Sequence, residues 1–359
     1  MLSRRNFIRM ALAAVPMVTQ RVVRAETKDE FPASVAMADA SAGAVFLADA
    51  LPMLYEAPLL PFGRVVVPEL EIFAAPQRDA AILRRVSFDD LLPLRARVTG
   101  DAVQPHNDKW FALEDGYVYS SLVQPVQDMH NDPQPGFAKQ GFWGDVTAPF
   151  IDARVAAASD ARVAKRLYFG SVYRVIDASV DADGAWWYRL HYGVSRGPGP
   201  WVPAENVRRF DPAADLSPLS PDVKDKRIEV DLPTQIMTAY ENGRAVLRVM
   251  VSTGTGRLFT PIGNYRVFRK APGQRLVGGW GSGYYDLPGV PFVTYFTYNG
   301  VAIHGAYWHN DFGTMRSHGC VNVPVDVARW FWRWTTPAAP QEASDIWFRP
   351  AQGTPVRVA

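Results

Sequence analysis

A pattern of apolar and turn residues in the first half of the chain returns after a constant interval, and this repeat limits the folds open to the chain. The interval is 81 residues, from Gly63 to Gly144. Residue types agree at Gly63 and Gly144, Val65 and Val146, Pro68 and Pro149, Leu70 and Ile151, Val86 and Leu167, Phe88 and Phe169, and Leu94 and Val175. Two copies of one module are predicted, not a solenoid, because a solenoid needs at least three stacked units.

Short runs of β-branched and aromatic residues fill both copies. Val65-Val66-Val67 and Trp110-Phe111-Ala112-Leu113 are examples, and Gly, Pro and Asp separate them, as is typical of strands in a small barrel. In the second copy, Trp187-Tyr188-Arg189-Leu190 corresponds to the Trp110 run. The interval between the copies is no longer constant at this point, as expected if a loop insertion separates the strands. Both copies resemble bacterial SH3-like modules, which end in a Trp-containing strand, a Gly-x-Val turn and a terminal hydrophobic residue.

Proline-containing connections divide the chain into segments, since such stretches form stiff linkers. We expect SH3-like modules over residues 62–126 and 142–211, and a third domain over residues 226–359. Residues 26–61 are expected to be a linker or N-terminal extension. The predicted fold class is mainly β, with two small barrels ahead of a β-rich third domain that contains one clear helix.

The composition indicates a globular protein, and its charge gives no reason to expect nucleic acid as a partner. Hydrophobic residues make up 48% of the chain and charged residues 21%, which is unlike a disordered segment. The net charge is only +2, so nucleic acid is not an expected partner. The single cysteine excludes an intramolecular disulfide. No apolar run reaches the roughly 20 residues of a membrane span, so no integral membrane domain is expected.

The first 25 residues indicate export. Ser3-Arg4-Arg5-Asn6-Phe7 resembles a bacterial twin-arginine signal, residues 10–18 supply a short apolar region, and Ala25 could close a cleavage site. The alternative is a chance basic N-terminus before an ordinary helix. We expect residues 1–25 to direct the protein to the cell envelope or cell wall, in a periplasmic or extracellular position.

The third domain opens with strand patterns and contains one convincing helix. Glu241-Asn242-Gly243-Arg244 predicts a hairpin, because Asn-Gly suits a type I′ turn. The helix has an apolar face opposite a charged face. The apolar positions are Val327, Trp330, Phe331 and Trp334, and the charged positions are Asp326, Arg329 and Arg333.

The candidate chemistry is concentrated around the only cysteine. A cysteine attacks as its thiolate, so it needs a base or a positive setting nearby. His304 ends an apolar strand, and Ser317-His318-Gly319-Cys320 follows a polar and aromatic loop. This order lets a base on a strand end meet a thiol on a returning loop. Gly319 permits close backbone approach, so the N–H groups of Gly319 and Cys320 could point at an oxyanion.

These residues belong to a longer set of motifs. The third domain resembles the L,D-transpeptidase catalytic domain, the YkuD-like family, over most of its length. The matching features are Val251-Ser252-Thr253-Gly254, Thr260-Pro261-Ile262-Gly263, His304-Gly305 and Ser317-His318-Gly319-Cys320-Val321-Asn322. SH3-like modules ahead of such a domain fit the accessory architecture of that family.

The resemblance implies a division of roles. Cys320 would be the nucleophile and His304 its base, with His318 supporting the site and Gly319 supplying an oxyanion-hole N–H. Gly305, where some relatives carry serine, would contribute only backbone groups.

The resemblance also implies substrate contacts. Asn322 occupies a position where many relatives carry arginine, and both residue types bind carboxyl or amide groups. The other expected substrate contacts are Ser317, Tyr295 and Trp308, the last two among several aromatic residues able to line a cleft.

The implied reaction takes place on peptidoglycan stem peptides, which serve as donor and acceptor. Cys320 would attack the carbonyl of the third residue of a stem tetrapeptide and expel the terminal D-alanine. An amine of a neighbouring stem would then resolve the thioester and give a 3→3 cross-link. Resolution by water would instead make the protein an L,D-carboxypeptidase, and a third alternative is a silent wall-binding protein. Carbapenem-type β-lactams are expected inhibitors, and no cofactor is expected.

Simpler interpretations exist for the same residues. A lone cysteine is usually a small buried hydrophobe, His304 could be a core histidine, and His318 could only shape the turn. His309 is expected to be a loop residue, and Thr260 to serve turn chemistry. Zinc is not expected, because the chain has no Cys-x-x-Cys or His-Glu-x-x-His signature.

Overall fold

The computed structural model describes residues 52–191, 199–279, 281–340 and 345–359, and its architecture is mainly β, as predicted. The export signal predicted for residues 1–25, and most of the predicted N-terminal extension, lie outside the described residues. Both therefore stay predictions. Within the described ranges, no helix has the length and apolar character needed to cross a membrane.

The first unit consists of eight short strands around a small apolar core. They are β1 (Phe62–Val65), β2 (Glu69–Phe73), β3 (Ile82–Ser87), β4 (Leu91–Pro93), β5 (Ala96–Gln104), β6 (Asn107–Ala112), β7 (Tyr117–Tyr119) and β8 (Val123–Val126). They form sheets with the strand orders β4-β1-β8 and β3-β2-β7-β6-β5. Val65, Ile72, Phe111 and Val118 are buried between them, because alternate residues of a strand face the same side.

The second unit has a similar order of elements with one strand fewer. Its strands are β9 (Phe142–Val146), β10 (Phe150–Arg154), β11 (Val163–Tyr168), β12 (Val172–Val180), β13 (Trp186–His191), β14 (Trp201–Pro203) and β15 (Val207–Arg209). They form one sheet in the order β11-β10-β14-β13-β12-β9-β15. In each unit a single helical turn, Ser120–Leu122 or Ala204–Asn206, precedes the last strand. The SH3-like nature of both units stays a prediction.

The third unit holds two sheets and one long helix. Its strands are β16 (Lys226–Asp231), β17 (Ile236–Glu241), β18 (Arg244–Met250), β19 (Gly263–Arg266), β20 (Arg269–Gly278), β21 (Tyr285–Tyr295), β22 (Ala302–Gly305), β23 (Val321–Val323), β24 (Ile346–Trp347) and β25 (Pro355–Val358). The sheet orders are β18-β17-β16-β25-β19 and β23-β22-β21-β20-β24. The helix α1 (Val325–Trp334) packs on β21 and β22. Further short helical turns are Pro212–Leu216, Gly256–Leu258, Gly281–Gly283 and Pro350–Gln352.

Helix α1 follows the predicted cysteine loop, as the apolar stripe indicated. Phe331 and Trp334 are buried in the main core. The charged residues on the opposite face bind other parts of the chain. Arg329 donates to Asp215 in the connection after the second unit, and Asp326 accepts a hydrogen bond from Tyr55 in the N-terminal segment.

A buried lysine closes the C-terminal end of α1. The Nζ of Lys270 on β20 donates to the carbonyl oxygens of Trp332, Thr335 and Pro337 at 2.9, 2.6 and 2.8 Å. The last carbonyls of a helix have no partner within the helix and carry partial negative charge. Lys270 therefore satisfies these groups and fixes α1 against the sheet that carries the cysteine loop.

We predict that Lys270→Met lowers the free energy of unfolding by about 2–4 kcal/mol, because it leaves buried carbonyls without a donor. Urea unfolding followed by tryptophan fluorescence measures this loss. Lys224→Met removes an exposed lysine just ahead of the third domain and serves as the control. Equal losses in the two variants would contradict the capping role.

Candidate active site

The parallel pairing of β22 with β23 joins the two parts of the cysteine site. Ile303 pairs with Val321, and His304 pairs with Asn322. Cys320 immediately precedes β23, and its sulfur lies beside the backbone of Ala302. The predicted base and the predicted nucleophile are thus carried on neighbouring strands, although a long loop separates them in the chain.

The imidazole of His304 is held by its own neighbour. Its Nδ1 lies 3.1 Å from the carbonyl oxygen of Gly305. A carbonyl can only accept a hydrogen bond, so Nδ1 carries the proton and Nε2 keeps its lone pair. Burial lowers the pKa of His304 to about 4, because the charged form is disfavoured away from water. His304 is therefore neutral near pH 7 and able to accept a proton at Nε2, and Gly305 orients it through the backbone.

The thiol of Cys320 lies in apolar surroundings. Cys320 is partly exposed and packs against the cluster that contains Tyr295, with Trp308 at its edge. Its Sγ donates to the carbonyl oxygen of Gly300 at 3.7 Å. Burial raises the pKa of the thiol to about 11. The pair consequently consists of a neutral thiol and a neutral imidazole, which suits proton transfer during attack instead of a preformed ion pair.

The Ser317 hydroxyl shapes the cysteine loop. It donates to the carbonyl oxygen of Cys320 and accepts the N–H of Gly319 at 3.0 Å. Gly319 has a φ of +116°, a conformation that glycine adopts most readily. The Ser317 hydroxyl is thus engaged within the loop, and its contact with substrate stays a prediction. The Gly319 N–H can serve an oxyanion only by leaving or sharing this hydrogen bond.

Thr260 was expected to serve only turn chemistry, and the structure gives it a larger part. Its Oγ1 accepts the N–H of Gly254 at 2.9 Å and donates to the carbonyl oxygen of Gly319 at 2.8 Å. A Cβ on Gly254 would lie 2.8 Å from the Cα of Gly319. Two upstream motifs thus bind the cysteine loop directly. The sequence signal for this contact was the presence of both motifs ahead of the cysteine. Their spacing alone does not show which of their groups bind the cysteine loop.

Asn322 and His309 form a buried pair behind the site. Asn322 is only 3% exposed, and its side-chain amide lies 3.1 Å from Nε2 of His309. The Nδ1 of His309 accepts the N–H of Asp311 at 3.3 Å. Burial lowers the pKa of His309 to about 3. β23 turns the Asn322 side chain inward, and its contact with substrate stays a prediction.

Aromatic side chains surround the remaining predicted residues. The ring centroids of His318 and Tyr285 lie 4.9 Å apart, and those of Trp308 and His304 lie 5.8 Å apart. Tyr295 is buried and donates to Gln274 at 2.9 Å. Within the described part of the chain, no group of three or more His, Cys, Asp or Glu residues is arranged to hold a metal ion.

Comparison with known proteins gives a family for the third unit. The family model of YkuD, the L,D-transpeptidase catalytic domain, matches residues 225–358. These residues are an L,D-transpeptidase catalytic domain. The family works through a cysteine, and Cys320 is the only cysteine of this chain. A search of curated proteins found no match.

Several solved L,D-transpeptidases resemble this chain in part. The Enterococcus faecium protein is 28% identical over 38% of this chain and 50% of its own, with a TM-score of 0.31. The protein from Xylanimonas cellulosilytica is 26% identical over 40% of this chain and 63% of its own, with a TM-score of 0.28. A Mycobacterium tuberculosis protein is 19% identical over 45% of this chain and 70% of its own, with a TM-score of 0.29. This chain thus spans about half the length of the solved Enterococcus faecium protein.

The raised pKa of Cys320 predicts the pH profile of its alkylation. The rate with iodoacetamide should keep rising above pH 9 with a midpoint near pH 11, because the folded state retains the thiol proton above the usual cysteine pKa of about 8.5. Intact mass follows the adduct, since no other cysteine reacts. The urea-unfolded chain is the control and should show the ordinary midpoint. A plateau below pH 7 in the folded protein would instead indicate a thiolate–imidazolium pair.

Thr260→Val should remove the bridge between Gly254 and Gly319 while keeping the side-chain shape. We expect a loss of about 1–3 kcal/mol in the free energy of unfolding, the cost of leaving buried polar groups unpaired. Thr260→Ser keeps the hydroxyl and should retain most of the stability. Thr255→Val, at an exposed position, is the matched control. Indistinguishable unfolding curves for Thr260→Val and Thr255→Val would rule out the bridging role.

Proposed function

We propose that this protein is an exported peptidoglycan L,D-transpeptidase that forms 3→3 cross-links through an acyl-enzyme on Cys320. The observation that supports this most is the pairing of β22 and β23, which sets Cys320 beside the strand of a neutral His304 within the matched catalytic domain. The Nδ1 proton of His304 is held by Gly305, so Nε2 is the basic atom of the site.

In the first half-reaction, Nε2 of His304 takes the thiol proton as Sγ of Cys320 attacks the carbonyl of the third residue of a donor stem tetrapeptide. A carbon–sulfur bond forms, and the carbonyl oxygen becomes an oxyanion that backbone N–H groups stabilise. The amide bond to the terminal D-alanine then breaks. His304 returns the proton to the leaving amine, and a thioester remains on Cys320.

In the second half-reaction, the side-chain amine of a diamino acid on a neighbouring stem attacks the thioester. A new amide bond forms, the carbon–sulfur bond breaks, and the amine proton passes through His304 back to the thiol. Water in place of the amine would release a shortened stem, which is the carboxypeptidase reaction. The neutral state of His304 allows it to act as base in one step and as acid in the next.

Export through residues 1–25 would deliver the enzyme to its substrate in the cell envelope. The two N-terminal units would then position the catalytic domain on the cell wall. Fractionation of cells that express the full chain tests the first statement, and retention of residues 62–211 by purified sacculi tests the second.

A carbapenem is the simplest probe of the proposed nucleophile. Its strained lactam amide should open on attack by Cys320 and leave an adduct with the full mass of the drug. Cys320→Ala should take up no adduct, and His304→Gln should be acylated roughly 100-fold to 10,000-fold more slowly, as expected for loss of a general base. Intact-mass measurement after timed mixing gives both rates. A folded protein without an adduct would overturn the proposed nucleophile.

Muropeptide analysis then separates transfer from hydrolysis. Incubation with purified stem tetrapeptide dimers or sacculi should yield products with 3→3 links in the presence of the protein and none with Cys320→Ala. Tripeptide products without such dimers would identify a carboxypeptidase. Unchanged muropeptides together with retained sacculus binding would identify a wall-binding protein.

A further inference from the structure

The loop between β22 and β23 is held in place by the two N-terminal units. We infer that Arg64, on the first strand of the first unit, is a positioning residue for this loop and through it for His304. This inference rests on the proposed roles of Cys320 and His304. It gives the N-terminal units a part in building the active site, in addition to any part in binding the cell wall.

Arg64 is a buried cation at the junction of the three units. It is only 1% exposed, and its guanidinium donates to Asp89 at 2.9 Å and to Gln124 at 2.6 Å. The same group donates to the backbone carbonyl of Tyr307 at 2.8 Å. A buried charge is stable only when it is paired and its donors are used. The position of Tyr307 is therefore coupled to a polar network that belongs to the first unit.

Tyr307 connects that network to the site. Its ring stacks on Tyr168 of the second unit with a centroid distance of 6.1 Å. Its hydroxyl donates to the carbonyl of Pro288 on β21 at 2.6 Å. The neighbouring Trp308 contacts the ring of Tyr307 at 5.0 Å and that of His304 at 5.8 Å. One residue thus joins both N-terminal units to the strand and the ring that surround the base.

The first unit holds the same loop at further points. The Nδ2 of Asn310 donates to the carbonyl of Ser120 at 3.0 Å. His106, in the turn between β5 and β6, lies with Nε2 3.7 Å from Oδ1 of Asp311. A Cβ on Gly313 would lie 2.2 Å from the His106 ring. The close fit at Gly313 leaves the loop little freedom to shift while the first unit is docked.

The second unit holds the opposite wall of the site. Lys165 on β11 donates to the backbone carbonyl of Asp286 on β21 at 3.1 Å. Asp286 also accepts from Arg275 across the β20–β21 hairpin at 2.6 Å. The preceding residue, Tyr285, is the one whose ring contacts His318. The loop between β22 and β23 and the start of β21 therefore both contact the N-terminal units.

Loss of Arg64 should slow the reaction that depends on His304 more than the direct alkylation of the Cys320 thiolate. Arg64→Met keeps the length of the side chain but leaves the Tyr307 carbonyl without its donor, so the loop can shift. Small displacements of a catalytic group cost up to about 100-fold in rate. We expect carbapenem acylation of Cys320 at pH 7, which needs His304, to fall about 10-fold to 100-fold. Iodoacetamide alkylation above pH 11, where the thiolate forms without a base, should stay unchanged.

The experiment measures both rates by intact mass on the full chain, well below its unfolding temperature. Arg208→Met is the matched control, because Arg208 pairs with Asp145 and Asp215 away from the loop, and both of its rates should equal those of the wild type. Arg64→Lys keeps the charge and should restore part of the acylation rate. A loss of both rates together, or an equal loss in Arg208→Met, would reduce Arg64 to a stability role and overturn the inference.

Two further variants test whether the N-terminal units position the loop if Arg64→Met does not fold. Asn310→Ala removes the bond to Ser120, and Tyr307→Phe removes the bond to Pro288 while keeping the stack on Tyr168. Each should lower acylation at pH 7 about 3-fold to 10-fold, less than an oxyanion or base group would, with alkylation unchanged. Wild-type rates in both variants would overturn the inference. Failure of the wild-type protein to be acylated would instead overturn the proposed function, so the two failures are distinct.

Discussion

Every residue of the loop between β22 and β23 except Met315 is buried or half-buried, so many of its backbone polar groups must find partners away from water. Loops normally run over the surface because an unpaired buried N–H or C=O costs free energy. Here the partners come from distant segments. The N–H of Gly313 donates to Val251 at 2.8 Å, that of Ser317 to Thr253 at 3.0 Å, and the carbonyl of Tyr307 accepts from Arg64. This requirement joins the N-terminal units, the Ser-Thr-Gly segment and the cysteine loop in one structure.

The same burial sets the protonation state of the site. Removal from water lowers the pKa of His304 and raises that of Cys320, because both charged forms lose hydration. The resting thiol and imidazole are therefore both neutral, and in the proposed mechanism charge develops only as the thiol attacks. The buried histidines also make stability depend on pH. The unfolded chain binds protons near pH 6.5, whereas folded His304 and His309 do not until about pH 4 and 3, so stability falls as the pH drops through that window.

Much of the fold and part of the site could be predicted from local patterns. The β-rich architecture follows from the alternation of residues, and the helix after the cysteine follows from its apolar stripe. Both patterns involve residues that are neighbours in the chain. The inward position of Asn322 could not be predicted, because the face that β23 turns to the core depends on its partner strand. The helical period likewise placed Arg329 opposite the apolar face but could not show its partner, Asp215 on a separate segment. The bridging hydroxyl of Thr260 was missed for the same reason, since its partners are remote in sequence.

The sequence by itself indicated the candidate chemistry. One cysteine in a Ser-His-Gly-Cys motif and a histidine at a strand end predict a Cys/His nucleophile site. The resemblance of these residues and two upstream motifs to the L,D-transpeptidase domain implies acyl transfer. Only the tertiary structure decided how the His304 ring is held. A glycine after His304 has no side chain to offer, and its carbonyl becomes the orienting group once β22 is buried. The structure also decided that Arg64, far upstream, reaches the same loop, because a buried cation must bind whatever acceptors the packed units bring to it.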